Sequence, residues 1–217
     1  MNKGLFITLE GGEGAGKTEQ INFIKKWFEY HNIPYLLTKE PGGTELGEEL
    51  RPIIKTATYP INTRAELLLF NACRAELVDD VIKPNTQKGI TVVSDRFSDS
   101  TYAYQCAGRG LNETDVNNII NFATDGLQPD ITFWLDITPK QAFARKNGAD
   151  KGDRIENTDL SMHERVYSAY KHLSETLPRV IRIDATVSIA EVSKQIEGHL
   201  NNLYNIKQTP QTNSKIK

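Results

Sequence analysis

Residues 10–18 read EGGEGAGKT, and their reading decides the fold. Gly11, Gly16, Lys17 and Thr18 stand at the spacing G-x-x-x-x-G-K-[ST]. Glycine contributes little to a core, but it lets successive N–H groups turn inward around an anion. LFITLE (5–10) precedes the stretch as a short apolar run of strand length. Residues 17–31 follow, with Ile21, Phe23, Ile24, Trp27 and Phe28 forming a helical stripe. Strand, glycine turn and helix together are the setting in which this spacing holds a phosphate chain. The loop amides and the positive end of the helix cradle the phosphates. Lys17 is expected to reach the β- and γ-phosphates, and the Thr18 hydroxyl to ligate Mg²⁺. The ATP-binding set is then Gly11, Gly12, Glu13, Gly14, Ala15, Gly16, Lys17 and Thr18.

Outward from this loop the pattern alternates. IPYLLT (33–38), GITVVSD (89–95), DITFWLDI (130–137) and RVIRID (179–184) read as further strands, GITVVSD being rich in β-branched residues. Helical stretches lie between them: a short helix broken near Pro52, a long one over 63–83 that stops before Pro84, and others at 98–107, 113–124, 158–177 and 188–204. Pro139 opens one more, as proline does at a first helical position. Strands separated by helices pair in parallel through right-handed crossovers. The expected architecture is an α/β P-loop NTPase fold, a five-stranded parallel sheet flanked by helices with a small mobile lid. Residues 1–204 form one domain, and 205–217, polar and without period, are expected to be disordered.

Bulk properties bound the function. The chain has 217 residues, 38% hydrophobic and 25% charged, as ordinary globular proteins do. A net charge of −2 provides no global field to attract nucleic acid or an anionic membrane. No apolar run is long enough to span a bilayer. Met1-Asn2-Lys3-Gly4 leads directly into strand-like sequence, so no signal peptide is expected and the chain reads as cytoplasmic. Cys73 and Cys106 lack metal-type spacing and read as free thiols. His31, His163, His172 and His199 form no cluster and read as surface residues.

The glycine loop marks a nucleotide site without fixing a reaction. GTPases carry N-K-x-D for guanine, and none occurs here. Partition-type ATP switches place an extra lysine early in the loop, where this chain has Glu10-Gly11. On the 63–83 helix, Leu67, Phe70, Arg74, Leu77, Val78 and Val81 fall on one face at 100° per residue. Arg74 thus sits within an apolar stripe, where it needs a partner. It is either paired to a neighbouring helix or, with Phe70, facing a flat ligand. Asp95-Arg96 follows a strand, at the sheet edge where open parallel sheets bind ligands. There Asp95 can help hold Mg²⁺ and Arg96 can grip a phosphate, the alternative being a structural ion pair. The glycine-bearing, basic stretch ARKNGADKGDRIE (144–156) is either a solvated loop or a lid over the nucleotide, at about 145–156.

Several stretches resemble the thymidylate kinase family. They are FITLEGGEGAGKT, KEPGGTELGEELR (39–51), ELLLFNACRAELVDDVIKP (66–84), SDRFSDSTYAYQ (94–105), PDITFWLDI (129–137) and DRIE (153–156). They occur in family order and cover nearly the whole chain up to about residue 204. The resemblance implies transfer of the γ-phosphoryl group from ATP, with Mg²⁺, to dTMP. It implies that Phe70 stacks on thymine while Arg74 reaches a carbonyl of the base. Arg51 and Arg96 would hold the acceptor phosphate, and Thr101 and Gln105 would lie near the base. Tyr104 would pack against the sugar, and Glu10 would lie near its 3′-hydroxyl. Gly14 and Ala15 in the loop, with Arg145 and Arg154 in the lid, resemble the bacterial type in which the lid supplies the catalytic arginine. Lys146, Asn147 and Lys151 occupy the middle of this lid, where related lids carry more arginines. The catalytic set is then Lys17, Arg96, Arg145 and Arg154. A homodimer is implied by the resemblance alone. Another nucleotide or deoxynucleoside kinase of the same fold, or an ATP-driven binding switch, would differ in its response to nucleoside monophosphates.

Overall fold

The computed structural model describes residues 3–146, 153–155 and 158–206. Its five strands are β1 (Phe6–Glu10), β2 (Tyr35–Lys39), β3 (Thr91–Asp95), β4 (Ile131–Asp136) and β5 (Val180–Asp184). All pairings are parallel, in the order β2-β3-β1-β4-β5. β1 and β4 are buried along their whole length, as apolar runs covered on both faces should be. On one face α1 (Lys17–Tyr30) and α9 (Ile189–Leu203) pack Ile24, Trp27, Phe28, Ile196 and Leu200 against the sheet. On the other, Phe6, Val92 and Phe97 meet Leu77, Val78 and Ile82, while Trp134 meets Tyr170 of α8 (Leu160–Thr176).

The remaining helices are α2 (Glu45–Thr56), α3 (Thr63–Leu77), α4 (Lys83–Gln87), α5 (Ser98–Thr101), α6 (Glu113–Thr124) and α7 (Pro139–Lys146). Two expectations about proline do not hold. α2 runs through the exposed Pro52 unbroken, with Thr44 capping it by accepting the Gly47 N–H. The long helix does not stop before Pro84. A wide turn at Val78–Ile82, closed by the Lys83 N–H on the Val78 carbonyl, shifts the register. Pro84 then falls in the first turn of α4, where a missing N–H costs nothing. A second wide turn, Tyr102–Gly108, continues α5.

His163 is only 4% exposed, contrary to the surface reading. Its ring meets the edge of Phe143 at 5.0 Å, and Nε2 is 3.1 Å from the Thr158 hydroxyl. Both cysteines are free and buried. At Asn205 and Ile206, the first residues of the expected tail, the Ile206 N–H donates to the Asn201 carbonyl and the Ile206 side chain packs on the core. The rest of the expected tail (207–217) and residues 147–152 and 156–157 of the expected lid lie outside the described residues. No helix among the described residues is long and apolar enough to cross a membrane.

Candidate active site

The site lies at the carboxyl ends of β1, β3 and β4, where the strand order reverses direction around β1. Gly16 caps α1 in the left-handed region and delivers Lys17 as the first helical residue. Gly14 also has a positive φ (75°), and a Cβ there would stand 2.6 Å from the Ala142 carbonyl oxygen of α7. The loop is therefore pressed against α7 in a form that only glycine allows at this position. Lys17 is 8% exposed, and its ammonium turns back onto the carbonyls of Gly11 (3.3 Å) and Gly12 (3.2 Å). Burial, then the nearby Arg96, lowers its pKa from the ordinary lysine value.

Arg96 joins the loop to the neighbouring cleft. Its backbone is left-handed (φ 73°), and its N–H donates to the Leu9 carbonyl. A non-glycine residue in that region stores strain of order 1–3 kcal/mol, which surrounding contacts must outweigh. They do so through Nη1, which donates to Gly11 O (2.9 Å) and Ser100 Oγ (3.2 Å), and Nη2, which meets Glu13 at 2.8 Å. The guanidinium also lies 5.2 Å from the centre of the Tyr104 ring. Burial works against its charge, but Tyr104, Glu13 and other anionic or phenolic neighbours hold its pKa well above the usual arginine value. The Tyr104 hydroxyl is buried without a hydrogen-bond partner, and burial pushes its pKa up to about 12.

A cleft opens beside Arg96. Phe70 and Arg74 of α3 form one wall, and Thr101, Tyr104 and Gln105 another. Glu13 lies towards the glycine loop, with Lys55 and Asp153 also in the lining. The structure thus brings Phe70, Arg74, Arg96, Thr101, Tyr104 and Gln105 together around one cleft. Arg51 stands one step back, with its guanidinium donating to the Pro41 carbonyl. Pro41 itself lines the cleft.

Two site residues are placed differently from expectation. Glu10, expected beside the sugar, is 0% exposed. As the last residue of β1 it points into the layer under α5 and α8. There its carboxyl accepts from the Phe97 N–H (2.8 Å), Ser100 (2.6 Å) and Tyr170 (2.7 Å). Burial, reinforced by Asp99, raises its pKa to about 7. Glu10 therefore supports the segment that carries Arg96, whereas Glu13, like Glu40 and Asp153, lines the cleft. Arg74 is saturated within the protein. Nε and Nη2 grip Glu40, Nη1 donates to Asn71 (3.0 Å) and Thr101 (2.8 Å), and Nη2 also reaches the Phe97 carbonyl (3.0 Å). Both partners of this pair are buried, and burial raises the Glu40 pKa against the pull of Arg74.

Arg145 and Arg154, expected in a lid, bond to other segments than the glycine loop. Arg145 donates to the Ala185 (2.7 Å) and Thr186 (2.9 Å) carbonyls after β5. Arg154 meets Glu66 of α3 at 2.7 Å and donates to the Ile54 carbonyl of α2. Lys55 pairs with Asp153 at 2.7 Å, so residues 153–155 are docked over the cleft. Sequence reasoning passed over Glu40, Lys55 and Glu66. The spacing of Lys55 four residues after Arg51 was a usable signal, whereas the long-range pairing of Glu40 and Glu66 was not.

For a metal, Asp95 offers a buried Oδ1 with no hydrogen-bond partner, and Thr18 is an exposed residue at the loop end. Oxygen donors of this kind suit a hard cation. Among the described residues no group of three or more His, Cys, Asp or Glu side chains is placed to hold a metal by itself. An ion here would therefore share its coordination with a ligand's oxygens and water.

A model of the family described as thymidylate kinase matches residues 9–196. The thymidylate kinase of Carboxydothermus hydrogenoformans is 41% identical over 201 residues, covering 93% of this chain and 98% of the relative. That of Synechococcus sp. is 45% identical over 193 residues, covering 88% and 93%. That of Blochmanniella pennsylvanica is 43% identical over 199 residues, covering 90% and 94%.

Proposed function

The chain belongs to the thymidylate kinase family and is a nucleoside monophosphate kinase, and on that premise we propose how its residues carry the γ-phosphoryl group of ATP to dTMP. The observation that carries the reading is the placement of Arg96. It hangs from β3 beside the β1 loop and contacts both that loop and the walls of the acceptor cleft.

ATP lies with its phosphates in the loop of residues 11–18, where the backbone amides and the α1 terminus hold them. Lys17 releases the Gly11 and Gly12 carbonyls and turns to the β- and γ-phosphates. dTMP enters the cleft with its base over Phe70 and its phosphate between Arg51 and Arg96. The acceptor oxygen is largely deprotonated at neutral pH, since a phosphate monoester has a second pKa of about 6. No general base is required, and the difficulty is the repulsion between two polyanions. Lys17, Arg96, Arg51 and the loop amides offset it in a preorganised, largely buried setting. Thr18 and Asp95 are assigned to Mg²⁺, which when bound with ATP neutralises charge on the β- and γ-oxygens.

Tyr104 packs against the sugar. The sugar-hydroxyl contact passes from Glu10 to Glu13, whose carboxylate is in the cleft wall. Arg74 acts by holding Thr101 and Asn71 in place, and reaches a base carbonyl only by releasing one of its present partners. Arg145 and Arg154 fasten the lid on either side of residues 147–152. Arg154 contacts the γ-phosphate only by leaving Glu66. A homodimer is proposed through α3 and α6, which pack together and leave Leu68 (56%) and Phe122 (89%) exposed. Sedimentation equilibrium tests it.

A coupled assay of ADP release against a panel of nucleoside monophosphates tests the whole reading. Turnover is expected with dTMP and Mg²⁺, and little with purine monophosphates. ATP hydrolysis indifferent to every monophosphate would instead mark a nucleotide-driven switch.

A further inference from the structure

Glu66 is a carboxylate where a carboxylate needs strong support. It sits on α3, 1% exposed, one turn before Phe70. Its oxygens take donors from two separate segments. Oε1 accepts from Gln105 Nε2 (3.0 Å) and Arg109 Nε (3.2 Å), while Oε2 accepts from Arg109 Nη2 (3.1 Å) and Arg154 Nη1 (2.7 Å). Burial pushes the Glu66 carboxyl up, but hydrogen bonds from Gln105 and Arg109, with the arginine charges, leave its pKa below the ordinary glutamate value. It is therefore ionised at neutral pH and can only accept hydrogen bonds.

That constraint passes to Gln105. The amide cannot turn its own oxygen to Glu66, because two buried acceptors would then face each other and the amide oxygen would lack a donor there, which is strongly unfavourable. Nε2 is committed to Glu66, and Oε1 is the uncommitted end of a side chain that lines the cleft. An acceptor in the wall matches a ring that carries N–H at position 3. It repels a 4-aminopyrimidine, whose N3 is itself an acceptor. We propose that Glu66 is a positioning residue for base selection, fixing the Gln105 amide as an acceptor so that the site takes a pyrimidine with N3–H and rejects a 4-aminopyrimidine. Arg109 and Arg154, anchored on the same carboxylate, keep it from following the amide if the amide turns. The inference rests on dTMP occupying the cleft as proposed above.

The test is kcat/KM for dTMP and for dCMP in the wild type and in Glu66→Gln. A glutamine at 66 can donate as well as accept, so it no longer dictates the orientation of Gln105. Sites built around a specific hydrogen bond discriminate by about 10⁴–10⁵, so there is room for a measurable loss. The dTMP/dCMP ratio is expected to fall about 10- to 100-fold, chiefly through the KM for dTMP. A purely structural role would lower both rates together, and a ratio unchanged within about twofold overturns the inference. In a Gln105→Ala background, Glu66→Gln should change the ratio by less than about twofold, whereas an undiminished effect there also overturns it. If Glu66→Gln does not fold, Glu66→Asp, which withdraws the carboxylate by one methylene, gives the same readout with the same criterion. A wild type that does not phosphorylate dTMP removes the proposed function itself. A wild type that prefers dTMP, with an unchanged ratio in the variants, removes only the role of Glu66.

Discussion

Replacing Arg74 by methionine isolates the buried pair that joins α3 to the Glu40–Pro41 segment. The side chains of Arg74 and Glu40 are 1% and 3% exposed, so the substitution strands a carboxylate almost completely removed from water. Removing one member of such a pair costs about 3–5 kcal/mol. For a chain of this length each kcal/mol lowers Tm by about 2–4 °C, giving an expected drop of about 6–20 °C. The sign of the pH dependence follows from Glu40. Burial already raises its pKa in the wild type, and only Arg74 pulls it down. Without Arg74 the folded-state pKa rises further above the unfolded value. The folded variant then binds more protons than its unfolded chain, and it gains stability relative to wild type as pH falls towards the ordinary carboxylate range. Urea unfolding at pH 8 and pH 5.5 should show the larger deficit at pH 8. Adding Glu40→Gln removes the stranded charge and should return at least about 1–2 kcal/mol at pH 8. A single variant within about 1 kcal/mol of wild type, or a double variant no more stable than the single, would refute the reasoning.

Three further outcomes are expected. Arg96→Ala should lower kcat for dTMP phosphorylation by about 10³–10⁵ while ATP still binds, and turnover near wild type in a stopped assay would remove Arg96 from the reaction. Glu10→Gln should gain stability relative to wild type as pH rises from 5 to 8. Between the unfolded value of 4.5 and the folded value of about 7, the wild type in its folded form holds an extra proton whose loss costs up to about 3 kcal/mol. A wild-type-to-variant difference that stays flat across that window in urea titrations would contradict it. Gly14→Ala places a Cβ 2.6 Å from a backbone oxygen at a φ of 75°. It should weaken ATP binding at least about tenfold by calorimetry, and an unaltered Kd would show that the loop can shift without consequence.

The sheet and the loop were legible because their signals are local. β1, the glycine turn and α1 are contiguous, and the strands announce themselves as apolar runs. The proline errors arose because a proline's effect depends on which turn of a helix it occupies. The wide turn at Val78–Ile82 moved Pro84 to a harmless position that no local pattern reveals. Phe70 and Arg74 were legible as neighbours on one helical face, whereas Thr101, Tyr104 and Gln105 entered only through the resemblance of the stretch SDRFSDSTYAYQ to the family. Their electrostatics were not visible. Arg74 meets a carboxylate 34 positions away and Gln105 meets one 39 positions away, and only the folded chain brings these together. Glu10 and Glu13 are both acidic and flank the same glycines, but strand geometry buries one and turns the other to the cleft.

The strand order sets a division of labour that bears on redesign. Loop and Arg96 spring from adjacent strands β1 and β3, locked by backbone ladders, whereas the surfaces that would choose a base belong to α2, α3 and the turn after α5. An engineer seeking a different acceptor could rebuild those helical surfaces and leave the transfer apparatus as a fixed chassis. Tampering with the strand tips, by contrast, would disable every acceptor alike.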